Sequence, residues 1–301
     1  MRRSPALALL CVGVALASAA RADVVARSFD GEANWTLQGA AAPARRNPTD
    51  DAVALRIAPA RARSAGSAFA EKKQLVIGGF VAEFAIAMRS EGETKTCKTR
   101  DAGGACARGG DGMAFVIQNA DARALGGGGN QLGYGGMTNC VVVEFDTHHD
   151  ADARDPYNNH VAVLTRGATA PTLASHHAAI GTSVSVPDLS DGERHVVRVV
   201  YDPDFIAEDA THKSFRSGAH LLSLRNYHHG LGTMKVYVDD LAEPALTVPI
   251  NLGAFLDLDA GRAWVGFTAA TGERAQHHDV LSFRFRERFG GGVRPVDVTT
   301  P

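Results

Sequence analysis

EFDTHHDADARDPYNNH, residues Glu144–His160, follows without a break on the apolar run CVVV at 140–143. A short Val-rich run of this kind reads as a buried strand. On a strand, Glu144 and Asp146 project from the same face. Asp150, Asp155 and His160 follow on a polar loop able to fold back over them. The stretch is therefore either a solvated acidic loop or a metal site. Its position favours the metal site, because a carboxylate half-buried at the end of an apolar strand is costly unless it is paired or metal-bound. Calcium takes roughly six to eight oxygen ligands, whereas an imidazole beside carboxylates also suits manganese or zinc. A divalent pair sharing carboxylates accounts for both kinds of ligand.

Outward from this loop, short apolar segments return between turn signals. FVAEFAIAMR, GMAFVIQN, CVVVEFD, HVAVLTR, HVVRVVYD, MKVYVDD, AWVGFTAA and VLSFRFRERF alternate or run apolar, are rich in Val, Phe and Ile, and read as strands. No stretch has the length and period of a substantial helix; TSVSVPDLSDGERH and LLSLRNYHHG read as short turns. Many short strands separated by Gly, Asp and Asn predict an all-β chain, an antiparallel β-sandwich or barrel. The 32 glycines and 21% charged residues suit such a body better than a disordered or helical one. No repeat or internal linker divides the chain, so one domain is expected over residues 23–289, with a loose tail over 290–301 that begins GGGVRP.

The first residues, MRRSPALALLCVGVALASAARA, combine two arginines, an apolar core and a small-x-small ending at Ala20-Arg21-Ala22. That is the pattern of a signal peptide over residues 1–22, and it predicts a secreted or periplasmic protein. Cys11 lies inside it behind Leu10, which does not fit a lipid anchor, and no later apolar run is long enough for membrane insertion. Loss of Arg2, Arg3 and Arg21 takes the formal charge from −2 to −5. A mildly acidic exported chain is a poor partner for nucleic acid, which demands a basic surface. Cys97 and Cys106 share a glycine-rich loop where a disulfide closes easily in an oxidising compartment, while Cys140 reads as a buried free thiol.

At these residues the chain resembles the L-type, legume-like lectins and their secreted bacterial relatives with the concanavalin A-like fold. ANWTLQGAA is similar to their first strand, GGDGMAFVIQN to the strand carrying the sugar-binding aspartate, and GGGGNQLGYGG to their glycine-rich loop. VVVEFDTHHDADARDPYNNH resembles the metal loop, and AWVGFTAATGERAQHHDVLSFRF the closing strands. The resemblance implies a jelly-roll sandwich without catalysis that binds glycans and needs Ca2+ and a second divalent metal, Mn2+. Homo-oligomer formation is compatible with it. It implies a transition-metal site of Glu144, Asp146, Asp155 and His160, and a calcium site of Asp146, Asp150, Asp155 and the His148 carbonyl. Asp111, behind a cis Gly110–Asp111 peptide, would accept hydrogen bonds from sugar hydroxyls. Backbone amides at Gly129 and Asn130, together with His148, Asp150 and the 271–276 loop that includes Gly272 and Glu273, would complete a shallow carbohydrate pocket.

The chain also departs from the family pattern. His148 stands where an aromatic residue is usual, Asn130 where a glycine is expected, and Asp150 where an asparagine both binds calcium and donates to the sugar. A carboxylate serves calcium but cannot donate. Glucanases of the same sandwich carry Glu-x-Asp-x-x-Glu, whose carboxylates act as nucleophile and acid. Here His149 holds the third position, which argues against a glycosidase. A metal-stabilised module that docks protein or matrix through its loops, including residues 202–230, is the other alternative. His-His pairs begin at His148, His176, His228 and His277; the last pair, just ahead of the closing strand, is expected to be structural.

Overall fold

A computed structural model describes residues 24–26, 28–29, 34–46, 51–91, 109–205, 207–216 and 231–288. In chain order, the strands begin with β1 (Val24–Ala26), β2 (Trp35–Gly39), β3 (Ala42–Arg45), β4 (Val53–Ala58), β5 (Ala65–Ala70), β6 (Gln74–Leu75) and β7 (Phe80–Arg89). The middle of the chain supplies β8 (Gly112–Gln118), β9 (Cys140–Asp146), β10 (His160–Thr165), β11 (Ala179–Ser183) and β12 (His195–Asp202). Last come β13 (Gly232–Val238), β14 (Leu246–Ile250), β15 (Arg262–Ala270) and β16 (His277–Glu287). One α-helix is described, α1 (Leu252–Phe255), a single turn capped by the Asn251 side chain. Among the described residues no helix is long and apolar enough to cross a membrane.

The strands form two antiparallel sheets. The first runs β14-β13-β12-β7-β16-β4-β3, with β1 beside β16; the second runs β11-β10-β9-β8-β15-β5-β2, with β6 beside β15. Of the sandwich and the barrel, the structure is the sandwich. Between the sheets, Phe84 packs against Phe267 at 5.0 Å and Phe115 at 5.4 Å, and Trp35 against Phe283 at 5.4 Å. Strand β12 shows the alternation of a one-sided strand, with His195, Val197, Val199 and Tyr201 buried and the residues between them half-buried.

β8, β9 and β10 are buried along their whole lengths. Val141, Val143 and Phe145 face the main core, whereas Cys140 and Val142 belong to a second apolar cluster on the other side of the sheet. Leu132, Tyr134 and Met137 from the glycine-rich loop cover that outer side. The unbroken apolar run at 140–143 is thus the signature of a strand buried on both faces. By strand parity, Glu144 and Asp146 lie on the outer side, beneath the loops.

Two readings need correction. His277 and His278 do not precede the closing strand; they are its first residues, and both are buried. β1, β3, β4, β5, β6, β11 and β14 were not read as strands, because these segments of two to six residues show neither length nor clear period. Cys140 is buried and free, as expected. The expected Cys97–Cys106 bridge, the signal peptide, the tail, and residues 217–230 with His228 lie outside the described residues.

Candidate metal and carbohydrate site

β9 carries the carboxylates. In its ladders Asp146 stands opposite Gly112 of β8 and His160 of β10, and Glu144 opposite Ala114 and Ala162. The register therefore brings the far end of the loop back onto its beginning. Glu144, Asp146 and His160 are all buried, and one ligand atom from each lies within 4.8 Å of the others. His160 Nε2 is 3.3 Å from Glu144 Oε1. His160 Nδ1 lies 2.7 Å from the Tyr157 carbonyl, which can only accept, so Nδ1 holds the proton and Nε2 faces the carboxylates. The Tyr134 hydroxyl donates to Glu144 Oε2.

Ionisation in this group is strained in the direction a cation would relieve. Burial pushes Asp146 well above the usual carboxylate range, and Glu144 and Asp155 add to the rise against the counter-effect of His160. Burial likewise raises Asp155 to about 6. For His160 burial opposes charge, but the bond to Glu144 and the neighbouring carboxylates prevail and raise it to about 9. Two carboxylates and an imidazole nitrogen form a donor set that fits a divalent transition metal, and the further carboxylates suit a hard oxygen-seeking cation.

The loop is organised by its own carboxylates. Asp146 Oδ1 accepts from the His148 N–H at 2.7 Å, and Asp155 Oδ2 from the Asp150 N–H at 2.7 Å. Asp150 Oδ1 accepts from the N–H groups of Asp152 and Ala153. Its Oδ2 accepts from Asn130 Nδ2 at 2.6 Å. Although burial disfavours the Asp150 charge, these donors hold its carboxyl below the usual value.

Asp111 stands at the entry to β8, with Gly110–Asp111 in the expected cis form. Its N–H donates to Ala270 and its carbonyl accepts from both the N–H and the hydroxyl of Thr147. Gln276 Nε2 in turn donates to that hydroxyl at 2.7 Å. The Asp111 carboxylate is buried, and two glycines press on it. A Cβ on Gly272 would lie 2.9 Å from Oδ2, and one on Gly129 3.4 Å from it. Burial pushes its carboxyl up to about 6, partly offset by a hydrogen bond from the Gly272 backbone, with the Asp150 charge adding to the rise.

Asp111, Gly129 and Gly272 thus meet from separate parts of the chain, and Asn130 links that cluster to Asp150. His148 lies against Gly110, at 3.3 Å from where a Cβ would be. Glu273 sits apart at the exposed rim in an ion pair with Arg63. Sequence reasoning missed Tyr134 and Thr147, whose only signal was polarity next to the predicted elements, and named Gln276 only as the end of the 271–276 loop, without its role behind Thr147. It also missed the Asn130 side chain, having read only the backbone there.

A model of the legume lectin domain matches residues 27–294. This chain belongs to that family. Among curated proteins, an L-type lectin-domain containing receptor kinase VIII.1 of Arabidopsis thaliana is 27% identical over 188 residues, covering 61% of this chain. The aligned part is 22% of that kinase, so the chain spans about a fifth of its length. Several solved structures share the fold at low identity. A Bauhinia forficata lectin in complex with GalNAc has a TM-score of 0.60 and 16% identity, over 90% of this chain and all of the other. Peanut lectin with a nine-residue peptide has a TM-score of 0.58 and 20% identity, over 89% and 97% of the two chains. The exoplasmic/lumenal domain of VIP36 in a Ca2+/Man2-bound form has a TM-score of 0.54 and 14% identity, over 87% and 83%.

Proposed function

We propose that this protein is an exported, calcium-dependent lectin that binds glycans and catalyses no reaction. The observation that carries the reading is the Asp111 carboxylate, buried yet framed by Gly129 and Gly272 beside a buried carboxylate-imidazole group. Glu144, Asp146, Asp155 and His160 would hold a transition metal such as Mn2+. Asp146, Asp150, Asp155 and the His148 carbonyl would hold Ca2+. Bound cations supply the positive charge that keeps these buried carboxylates ionised.

The chain's own residues do the recognition. Thr147, itself held by Gln276, fixes the Asp111 backbone. The Asp111 carboxylate accepts hydrogen bonds from sugar hydroxyls, and the two glycines leave room for a sugar ring to approach. Family members of known structure support this choice of ligand, among them the GalNAc-bound Bauhinia forficata lectin and basic winged bean lectin with Tn-antigen.

The test is a broad glycan array probed with Ca2+ and Mn2+ and again with chelator. Binding that disappears on chelation supports the proposal. If no glycan binds with both ions present, the carbohydrate reading falls and the fold serves another partner.

A further inference from the structure

A carbohydrate site must satisfy both sides of each sugar hydroxyl. An O–H donates one hydrogen and offers its oxygen as acceptor. The ionised carboxylates of Asp111 and Asp150 offer acceptors and no donor. Two neighbouring hydroxyls could give their hydrogens to such groups, and their oxygens would still need a donor.

The dipeptide Gly129–Asn130 spans these two carboxylates. Gly129 abuts Asp111 Oδ2, and Asn130 Nδ2 donates to Asp150 Oδ2 at 2.6 Å. The turn that presents it is held firmly. Gly126 and Gly127 donate backbone bonds to Gly133 and Gly135, Gly133 donates back to Gly127, and the Gln131 side chain fills the space that side chains at 127 and 135 would need. An amide nitrogen carries two hydrogens. Asp150 takes one. Among the described residues, neither the second N–H nor Oδ1 of Asn130 has a hydrogen-bond partner, although the residue is half-buried.

We propose that the Asn130 side-chain amide, anchored on Asp150, is a specificity-determining donor of this site, giving its second N–H to a hydroxyl oxygen of an uncharged glycan whose adjacent hydroxyl donates to Asp111. The proposal rests on the carbohydrate reading above and deepens it. It assigns the ligand class as neutral sugars with a vicinal hydroxyl pair, because a carboxylate or sulfate on the sugar would meet the charge of Asp111, which has no cation of its own. Donation from an amide whose nitrogen is already held costs less ordering than donation from a free side chain.

The experiment compares wild type and Asn130→Ala on the array with Ca2+ and Mn2+. Titrations then use the strongest array sugar and its mono-deoxy derivatives, and melting curves are recorded with and without calcium. The expected result is a neutral glycan as best ligand and an affinity loss of about tenfold or more for Asn130→Ala. The calcium-dependent melting shift should stay intact. One deoxy derivative should lose affinity in wild type but little further in Asn130→Ala, the mark of a direct contact. If Asn130→Ala loses its calcium shift, the role is structural and the proposal fails. If it binds the parent sugar like wild type, or every deoxy penalty persists in full, the proposal fails while the lectin reading stands. A sialylated or sulfated best ligand overturns the ligand class, and a wild type that binds no glycan overturns both readings together.

Discussion

His160 stands directly opposite Asp146 across the antiparallel ladder of β10 and β9, although the whole metal loop separates them in the chain. The ladder makes the two ends of that loop one site. A carboxylate and an imidazole are held on a rigid sheet, and the intervening residues fold over them through backbone bonds to Asp146, Asp150 and Asp155. An ion held between the strands and the loop would couple loop order to ion binding.

Removing divalent ions should lower the melting temperature, and adding Ca2+ with Mn2+ should restore it. An ion present at about a hundred times its dissociation constant contributes about 2.7 kcal/mol. Asp146→Ala and His160→Ala should lose that response. Identical scanning-calorimetry traces with and without chelator would contradict the metal assignment.

Asp111→Asn removes one charged acceptor without changing the shape of the site. Glycan affinity should fall by about 1.5 to 3 kcal/mol, while the calcium-dependent melting shift is retained. Acid should act on wild type in the same direction, since protonation near pH 6 discharges this carboxyl. Calorimetric titration of the best array sugar from pH 7.5 down to 5 checks this. Asp111→Asn that binds as tightly as wild type removes Asp111 from the site.

Gly272→Ala places a Cβ 2.9 Å from Asp111 Oδ2, closer than real Cβ atoms come, and 3.1 Å from Oδ1, tighter than most real contacts. The backbone at 272 needs no left-handed conformation, so the chain should still fold. The displaced carboxylate should cost sugar affinity about tenfold or more, roughly 1.4 kcal/mol. Unchanged binding would mean that the carboxylate moves freely and does not define the pocket.

His278 is fully buried, with its Nε2 facing the Gln276 amide. Burial, with His277 adding to it, drives its pKa from 6.5 to about 3. The unfolded chain therefore takes up a proton between these values that the folded chain refuses, and stability falls as pH drops from 6.5 towards 3. The slope from this one group is up to about 1.4 kcal/mol per pH unit. Urea unfolding of wild type and His278→Gln at a series of pH values should show that slope only in wild type. Parallel pH profiles would contradict it.

Cys140 lies buried against Thr172, and burial pushes its thiol to about 11. Iodoacetamide should leave it unmodified until the protein unfolds. Peptide mapping without reduction should join Cys97 to Cys106; a link to Cys140 would overturn that pairing.

The sequence alone determined the features that depend on local pattern. Alternating or Val-rich runs marked the long strands of both sheets, because side-chain direction along a strand repeats every second residue. The spacing of Glu144, Asp146, Asp155 and His160 marked a ligand-rich loop, because residues so close in the chain need little folding to meet. Strands such as β4 and β5 were not legible, since their small residues become strand through the neighbours that pair with them. Only the tertiary structure decided which loop covers the outer face of β9 and that Tyr134 donates to Glu144. It alone set Asp111 between Gly129 and Gly272 and turned the Asn130 side chain onto Asp150. Those contacts join loops far apart in the chain, and their geometry follows from sheet register and packing, which no local period encodes.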